Sequence, residues 1–187
     1  MKSVLNNAIA LVSNPVRYMT QNKDQRVSVN SLMINYVAVL ALVPLVGRLI
    51  GDLLFESSNG RLGYAIGGSI VAYILDLIAV FVIGYVIWKL APSFKTSTNQ
   101  ARATMLAAFV FTPVFLIGIL SIVPVLGYLS VLGLLYGLYI MYLGLPIMLG
   151  TPTDKTVTYV IAILIVSIII LFIISLVISG FDASRLK

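Results

Sequence analysis

Neither cysteine nor histidine occurs anywhere in the chain. The first absence excludes disulfides and a thiol nucleophile, and leaves the redox compartment unreadable. The second removes the commonest general base, and together the two remove the usual ligands for zinc, copper and haem. Charge is scarce as well: Asp, Glu, Lys and Arg make up 10% of the 187 residues, against 60% hydrophobic. A soluble domain carries about 25% charged residues, so most of this surface is not built for water. The length fits one domain of ordinary size. No segment is polar enough, or long enough, to form a second folded unit outside a membrane. Paired carboxylates, a serine-nucleophile motif and a metal-ligand cluster are all missing, so neither an enzyme activity nor a cofactor is expected.

What charge there is leans basic: 12 Lys and Arg against 6 Asp and Glu give a formal charge of +6. In a soluble protein that excess would point to nucleic acid. Here the basic residues fall between long apolar runs, where lipid headgroups would sit. Anionic headgroups are therefore the expected partners, and nucleic acid is not.

A membrane-spanning helix needs about 20 mainly apolar residues. Five runs qualify, at 32–51, 62–90, 103–123, 126–149 and 159–178. Each must satisfy its own backbone hydrogen bonds in lipid, which selects helix; the short alternating strands of a barrel are absent. The third and fourth runs are joined only around Pro124, which predicts a tight antiparallel hairpin. Before the first run, Val4, Leu5, Ala8, Ile9 and Val12 recur at helical spacing, with Lys2, Ser3, Asn6, Asn7 and Ser13 between them. That pattern predicts a short interfacial helix ended by Asn14-Pro15. Asn6 and Asn7 interrupt the apolar stretch and no clear cleavage site follows, so it does not read as a signal peptide. The expected fold class is all-α: an integral membrane bundle of five transmembrane helices with a short N-terminal interfacial helix. Residues 1–30 form a cytosolic or interfacial segment, 31–180 the five-helix domain and 181–187 a short tail.

Basic residues set the expected orientation. With the N-terminus in the cytosol, the inner side carries Lys2, Arg17, Lys23, Arg26, Lys89, Lys95, Arg102 and Lys155. The outer side then has Arg48, Arg61, Arg185 and Lys187. Eight against four places the N-terminus inside and the C-terminus outside, in the cytoplasmic membrane if the source is a prokaryote.

The stretch NQARATMLAAFVFTPVFLIGI, followed by IVPVLGYLSVLGLLYGLYIMYLGLPIMLGTPTDK, resembles the prokaryotic branch of the Yip family. A proline in the middle of the third run, a Leu-Tyr-rich fourth run ending in YLGLPIML and a following TP-x-x-K carry the likeness, as does LVSNPVRYM ahead of the first run. The resemblance implies a five-span bundle with a cytosolic N-terminus and a role in membrane organisation. Eukaryotic Yip proteins are named for interacting with Ypt/Rab GTPases. This chain lacks their long N-terminal region and their Asp-Leu-Tyr-Gly-Pro motif, so Rab binding is not carried over.

Among single residues, Asp76 is the most informative. It lies near the centre of the second run, where a carboxylate facing lipid costs ~2.5–3.5 kcal/mol on insertion scales. Ala65, Ser69, Ala72 and Ala79 lie on its helical face, the small-residue pattern of a packed surface. Asp76 is therefore expected to point into the bundle, with Tyr139 and Thr112 as partners at similar depth. It serves either as a proton- or cation-responsive site of a small channel or transporter, or as a polar clasp. Arg48 and Asp52, four apart, are expected to pair on one face, as interfacial residues or as one wall of an external vestibule. Pro44, Pro113 and Pro146 free the carbonyls of Leu40, Phe109 and Tyr142, either as plain kinks or as a broken-helix ion site. Gly47-xxx-Gly51, Gly63-xxx-Gly67 and Gly133-xxx-Gly137 allow close helix approach, within the chain or in a homo-oligomer. Tyr136, Tyr139 and Tyr142 share a drifting face of the fourth run. The basic, Ser/Thr-rich loop 89–102 is expected at anionic headgroups, or as a docking loop for a protein partner.

Overall fold

Apolar helices at Val29–Leu54, Ile66–Phe94, Gln100–Ile122, Val125–Leu149 and Thr153–Ile170 are each long enough to cross a bilayer. They dominate the computed structural model of the chain, which describes residues 2–55 and 62–184. Among the described residues there is no strand. The chain is an all-helical, multi-pass membrane protein. Arg61, Arg185 and Lys187 lie outside the described residues, as do the side-chain surroundings of Lys2, Gly63, Ala65 and Pro124.

In chain order the helices are α1 (Lys2–Ser13), α2 (Pro15–Asn22), α3 (Val29–Leu32), α4 (Ala38–Phe55), α5 (Leu62–Leu90), α6 (Gln100–Ile117), α7 (Ser130–Leu149) and α8 (Thr153–Ser184). A π-helical turn, Met33–Val37, joins α3 to α4, so the first span is one continuous rod. The sequence punctuates these elements locally. Asn14 accepts the Arg17 N–H at 3.0 Å with Pro15 at the first helical position, and Asn99 accepts the Arg102 N–H at 2.9 Å. Gly150, at φ 69°, closes α7 by donating its N–H to the Pro146 carbonyl, a left-handed turn that a side chain would strain. α8 begins six residues ahead of its apolar run, because a polar first turn of Thr153, Asp154, Lys155 and Thr156 is invisible to hydropathy.

α6 is the central helix, with residues 103–110 all buried, and its neighbours are α1, α4, α5 and α7. Glycines set how closely those neighbours approach. A Cβ on Gly133 would stand 2.9 Å from Val114 Cα, and one on Gly137 would collide with the Val110 carbonyl oxygen. The α6–α7 hairpin is therefore a backbone-to-backbone contact. Gly47 and Gly51 meet the Gly118 and Ser121 carbonyls in the same way, at 2.8 and 2.6 Å from their Cβ positions. Two of the three small-residue motifs thus serve packing within the chain, whereas nothing lies within 4 Å of a Cβ on Gly67. At one end of the bundle the loops around Asp24, Thr96 and Thr151 gather: Arg102 Nη2 lies 3.6 Å from Asp24 Oδ1, and the Thr96 and Thr151 hydroxyls are 2.9 Å apart. This end, with Arg26, Lys89 and Lys95, is the basic face.

The short N-terminal helix is present, and part of its apolar face is spent on protein while Ile9 stays exposed. Ala8 and Leu11 are fully buried, and α1 packs on α6 and α4. Met19 of α2 is equally buried beside Gly144, and the Tyr136 hydroxyl donates to the Val12 carbonyl at 2.7 Å. Tyr136 and Gly144 are eight residues apart, about 12 Å along α7, so α2 and α1 run along the bundle away from the basic face. Tyr136→Phe should weaken this docking by about 1 kcal/mol, the net worth of a typical hydrogen bond. With Ala8→Cys as the sole thiol, maleimide labelling is then expected to speed up roughly fivefold; an unchanged rate would show that the bond does not secure α1.

Candidate intramembrane functional site

The charged centre inside the bundle is built from α4 and α5. Arg48 Nη2 donates to Asp76 Oδ2 at 2.8 Å, with the two side chains 30% and 29% exposed. The expected Arg48–Asp52 pair is not the contact that forms: Asp52 instead accepts the Ser69 hydroxyl at 3.3 Å. Helix geometry explains the choice. Side chains lean toward the N-terminal end of their helix, so Arg48 reaches back into its span and away from Asp52 one turn further on. An acid placed N-terminal to the base is also the better order for an (i, i+4) pair, and this chain has the reverse. Asp76, midway along α5, lacks the water that reaches a helix end, so a counter-ion is worth more to it.

Tyr139 and Thr112, the partners expected for Asp76, are both engaged elsewhere. Tyr139 is 49% exposed on the outer surface of α7, with its ring 5.7 Å from that of Tyr136. Its neighbour Tyr136 makes the inward hydrogen bond, because positions three apart on a helix drift around the axis. Thr112 is fully buried and donates to the Ala108 carbonyl at 2.9 Å. Its proton being committed, Thr112 accepts from the Tyr36 hydroxyl, 2.9 Å away. Tyr36 lies in the π-turn and packs edge-on to Phe109, as Tyr18 does from α2. The sequence offered no signal for Tyr36, since one tyrosine near the start of an apolar run looks like an interfacial anchor.

The prolines do not break their helices: α4, α6 and α7 each run on through Pro44, Pro113 and Pro146. Pro44 instead presents its ring to Gly118, where a Cβ would come within 2.5 Å. Beside the ion pair, Pro44, Arg48, Asp76, Phe115, Ser121 and Ser130 help line a cavity of about 280 Å³. A cavity with polar lining and that volume has room for several waters. Asp52 takes no part in its lining, so the external vestibule expected around Arg48 and Asp52 is replaced by a space around Arg48 and Asp76. One carboxylate locked to one guanidinium is the whole charge inventory of this cavity, and no group of potential metal ligands occurs among the described residues.

A helical bundle of five spans, stitched by glycine contacts and one intramembrane ion pair, defines a polytopic membrane protein whose class is set by its whole architecture. The Yip1 domain matches residues 9–175, and the chain belongs to the Yip family. It is 23% identical over 171 residues to inner membrane protein YohC of Escherichia coli strain K12, covering 86% of this chain and 88% of that one. YohC of Escherichia coli O6:H1 strain CFT073 matches to the same extent. No solved structure matches the chain. The matched region takes in the last five residues of α1 and all of α2 and extends into α8, so the family pattern reaches the N-terminal pair as well as the spans.

Proposed function

We propose that this Yip-family protein is a non-catalytic organiser of the cytoplasmic membrane, holding lipids or partner proteins rather than moving a solute. The observation that carries this reading is the Arg48–Asp76 bond at 2.8 Å. An acid that binds and releases a proton or cation in a transport cycle needs a free lone pair at its turning point. The Arg48 guanidinium holds Oδ2 of this acid and ties α4 to α5, which supports a clasp. The inner-membrane name of the E. coli relatives supports the same membrane for this chain. The excess of Lys and Arg on the basic face supports a cytosolic setting for it, with the C-terminus outside.

Purified protein in sealed proteoliposomes tests the reading. Proton and monovalent-cation fluxes should match those of protein-free vesicles, and Asp76→Asn should leave them unchanged. A flux that depends on Asp76 would overturn the reading and make the 280 Å³ cavity part of a conduction path. Crosslinking from native membranes should in turn recover a defined partner or lipid.

A further inference from the structure

The two basic loops that the sequence presents as unrelated close around a single cleft. Asp24, Gln25, Arg26, Val27 and Ser28 form one wall. Ser97, Thr98, Asn99, Ala101, Arg102 and Met105 form the other, around a space of about 830 Å³. We infer that this cleft on the basic face is a binding site for the phosphate of an anionic lipid headgroup.

The donors converge from both walls. Arg26 and Arg102 bring two guanidinium groups, the side chains that match phosphate oxygens in a bidentate way. Arg26 makes no ion pair among the described residues. Arg102 is engaged only by Asp24, at 3.6 Å and with the carboxylate largely in solvent, a long contact that a phosphate can displace. The Ser28 oxygen accepts the Ser31 N–H at 3.2 Å, which leaves its own proton free to donate. Ser97 adds a hydroxyl opposite, whereas the Thr98 hydroxyl donates to the Asn99 carbonyl at 3.4 Å. Asn99 caps only the Arg102 N–H, so the first-turn N–H groups of Gln100 and Ala101 have no acceptor within α6. They add the partial positive charge of a long helix start to the two arginines.

Position selects a lipid over a soluble anion. The cleft opens where the first span begins at Val29 and the third at Gln100, and its floor reaches Met105, inside the third span. Lys89, at the same end, lies 4.6 Å over the Trp88 ring, the pairing expected at headgroup level. A headgroup in the cleft therefore sits where the first and third spans enter the bilayer, with its acyl chains along the outer surface of the bundle and not in water. This assignment deepens the membrane-organising role by naming a lipid class. It rests on that role only for the basic face lying at the headgroups, and the flux experiment can fail without touching it.

The test is equilibrium binding of fluorescent phosphatidylglycerol and phosphatidylcholine to the full chain in a neutral detergent. Wild type should prefer phosphatidylglycerol, and Arg26→Gln with Arg102→Gln should weaken that binding about tenfold or more. Ser97→Asp, which adds a carboxylate at the exposed rim, should abolish the preference with the fold intact. The charge-matched pair Lys95→Gln and Lys155→Gln should leave it within about twofold, since neither residue lines the cleft. An equal loss in that pair would reduce the effect to general surface attraction and overturn the site. Equal affinity for both lipids would also overturn it, as would displacement of the lipid by millimolar inorganic phosphate, which would mark a soluble phosphate as the ligand.

Discussion

Gly137→Leu is expected to unfold the hairpin of α6 and α7 more severely than any other single change on that face. The Cβ it adds would overlap the Val110 carbonyl oxygen, and one turn earlier Gly133 faces Val114 Cα at 2.9 Å and the Pro113 carbonyl at 3.0 Å. Those atoms belong to the backbone of the most enclosed helix, and a backbone cannot swing aside as a flexible side chain can. Overpacking a core costs about 1–3 kcal/mol even where side chains yield. With two helices forced apart, at least about 3 kcal/mol is expected, or roughly 6–12 °C in melting temperature for a chain of this size. Gly67→Leu is the matched control, because nothing lies within 4 Å of its Cβ position. It should move the melting temperature by no more than a degree or two in detergent. Thermal unfolding followed by circular dichroism separates the two variants. An unchanged midpoint for Gly137→Leu would contradict the close backbone contact. A large loss for Gly67→Leu, together with loss of a dimer, would show that the open glycine face packs on a second copy.

The span count was readable because it depends on a solvent argument that needs no neighbours: twenty apolar residues have few other places to go. The family resemblance was carried largely by residues 99–155, which include the α6–α7 contact where Gly133 and Gly137 meet the backbone at Pro113, Val114 and Val110. Partners across helices were not readable. Asp76 was recognisable as a buried acid from its place in α5, yet its counter-ion depended on how α4 is rotated against α5, which hydropathy along either helix does not encode. The same holds for Thr112, whose partner Tyr36 lies 76 residues away. The first N-terminal helix was legible up to Asn14-Pro15, but α2 beyond it was not, and the seat that Tyr136 and Gly144 offer the pair lies on another helix. Periodicity tells which face of a helix is apolar and does not tell whether lipid or protein covers it.

The second large effect is expected at the ion pair, where two single substitutions should cost more than the double. Arg48→Leu leaves the Asp76 carboxylate midway along α5 with no cation. Removing one partner of a fully buried pair costs about 3–5 kcal/mol. With the side chains 30% and 29% exposed, solvent recovers part of that, and about 2 kcal/mol is expected. Asp76→Leu strands Arg48 instead, but a long guanidinium can turn toward the nearer surface, so about 1 kcal/mol is expected there. The double variant, Arg48→Leu with Asp76→Leu, exchanges the pair for apolar contacts of similar volume and should return to within about 1 kcal/mol of wild type. Unfolding of all four proteins in the same mixed micelles closes the cycle, and strictly additive costs would show that the 2.8 Å contact carries no coupling. The double variant also separates structure from function. If the pair is only a clasp, a protein that folds without it should keep its partner and lipid contacts. If the carboxylate itself is used, stability should return while those contacts do not.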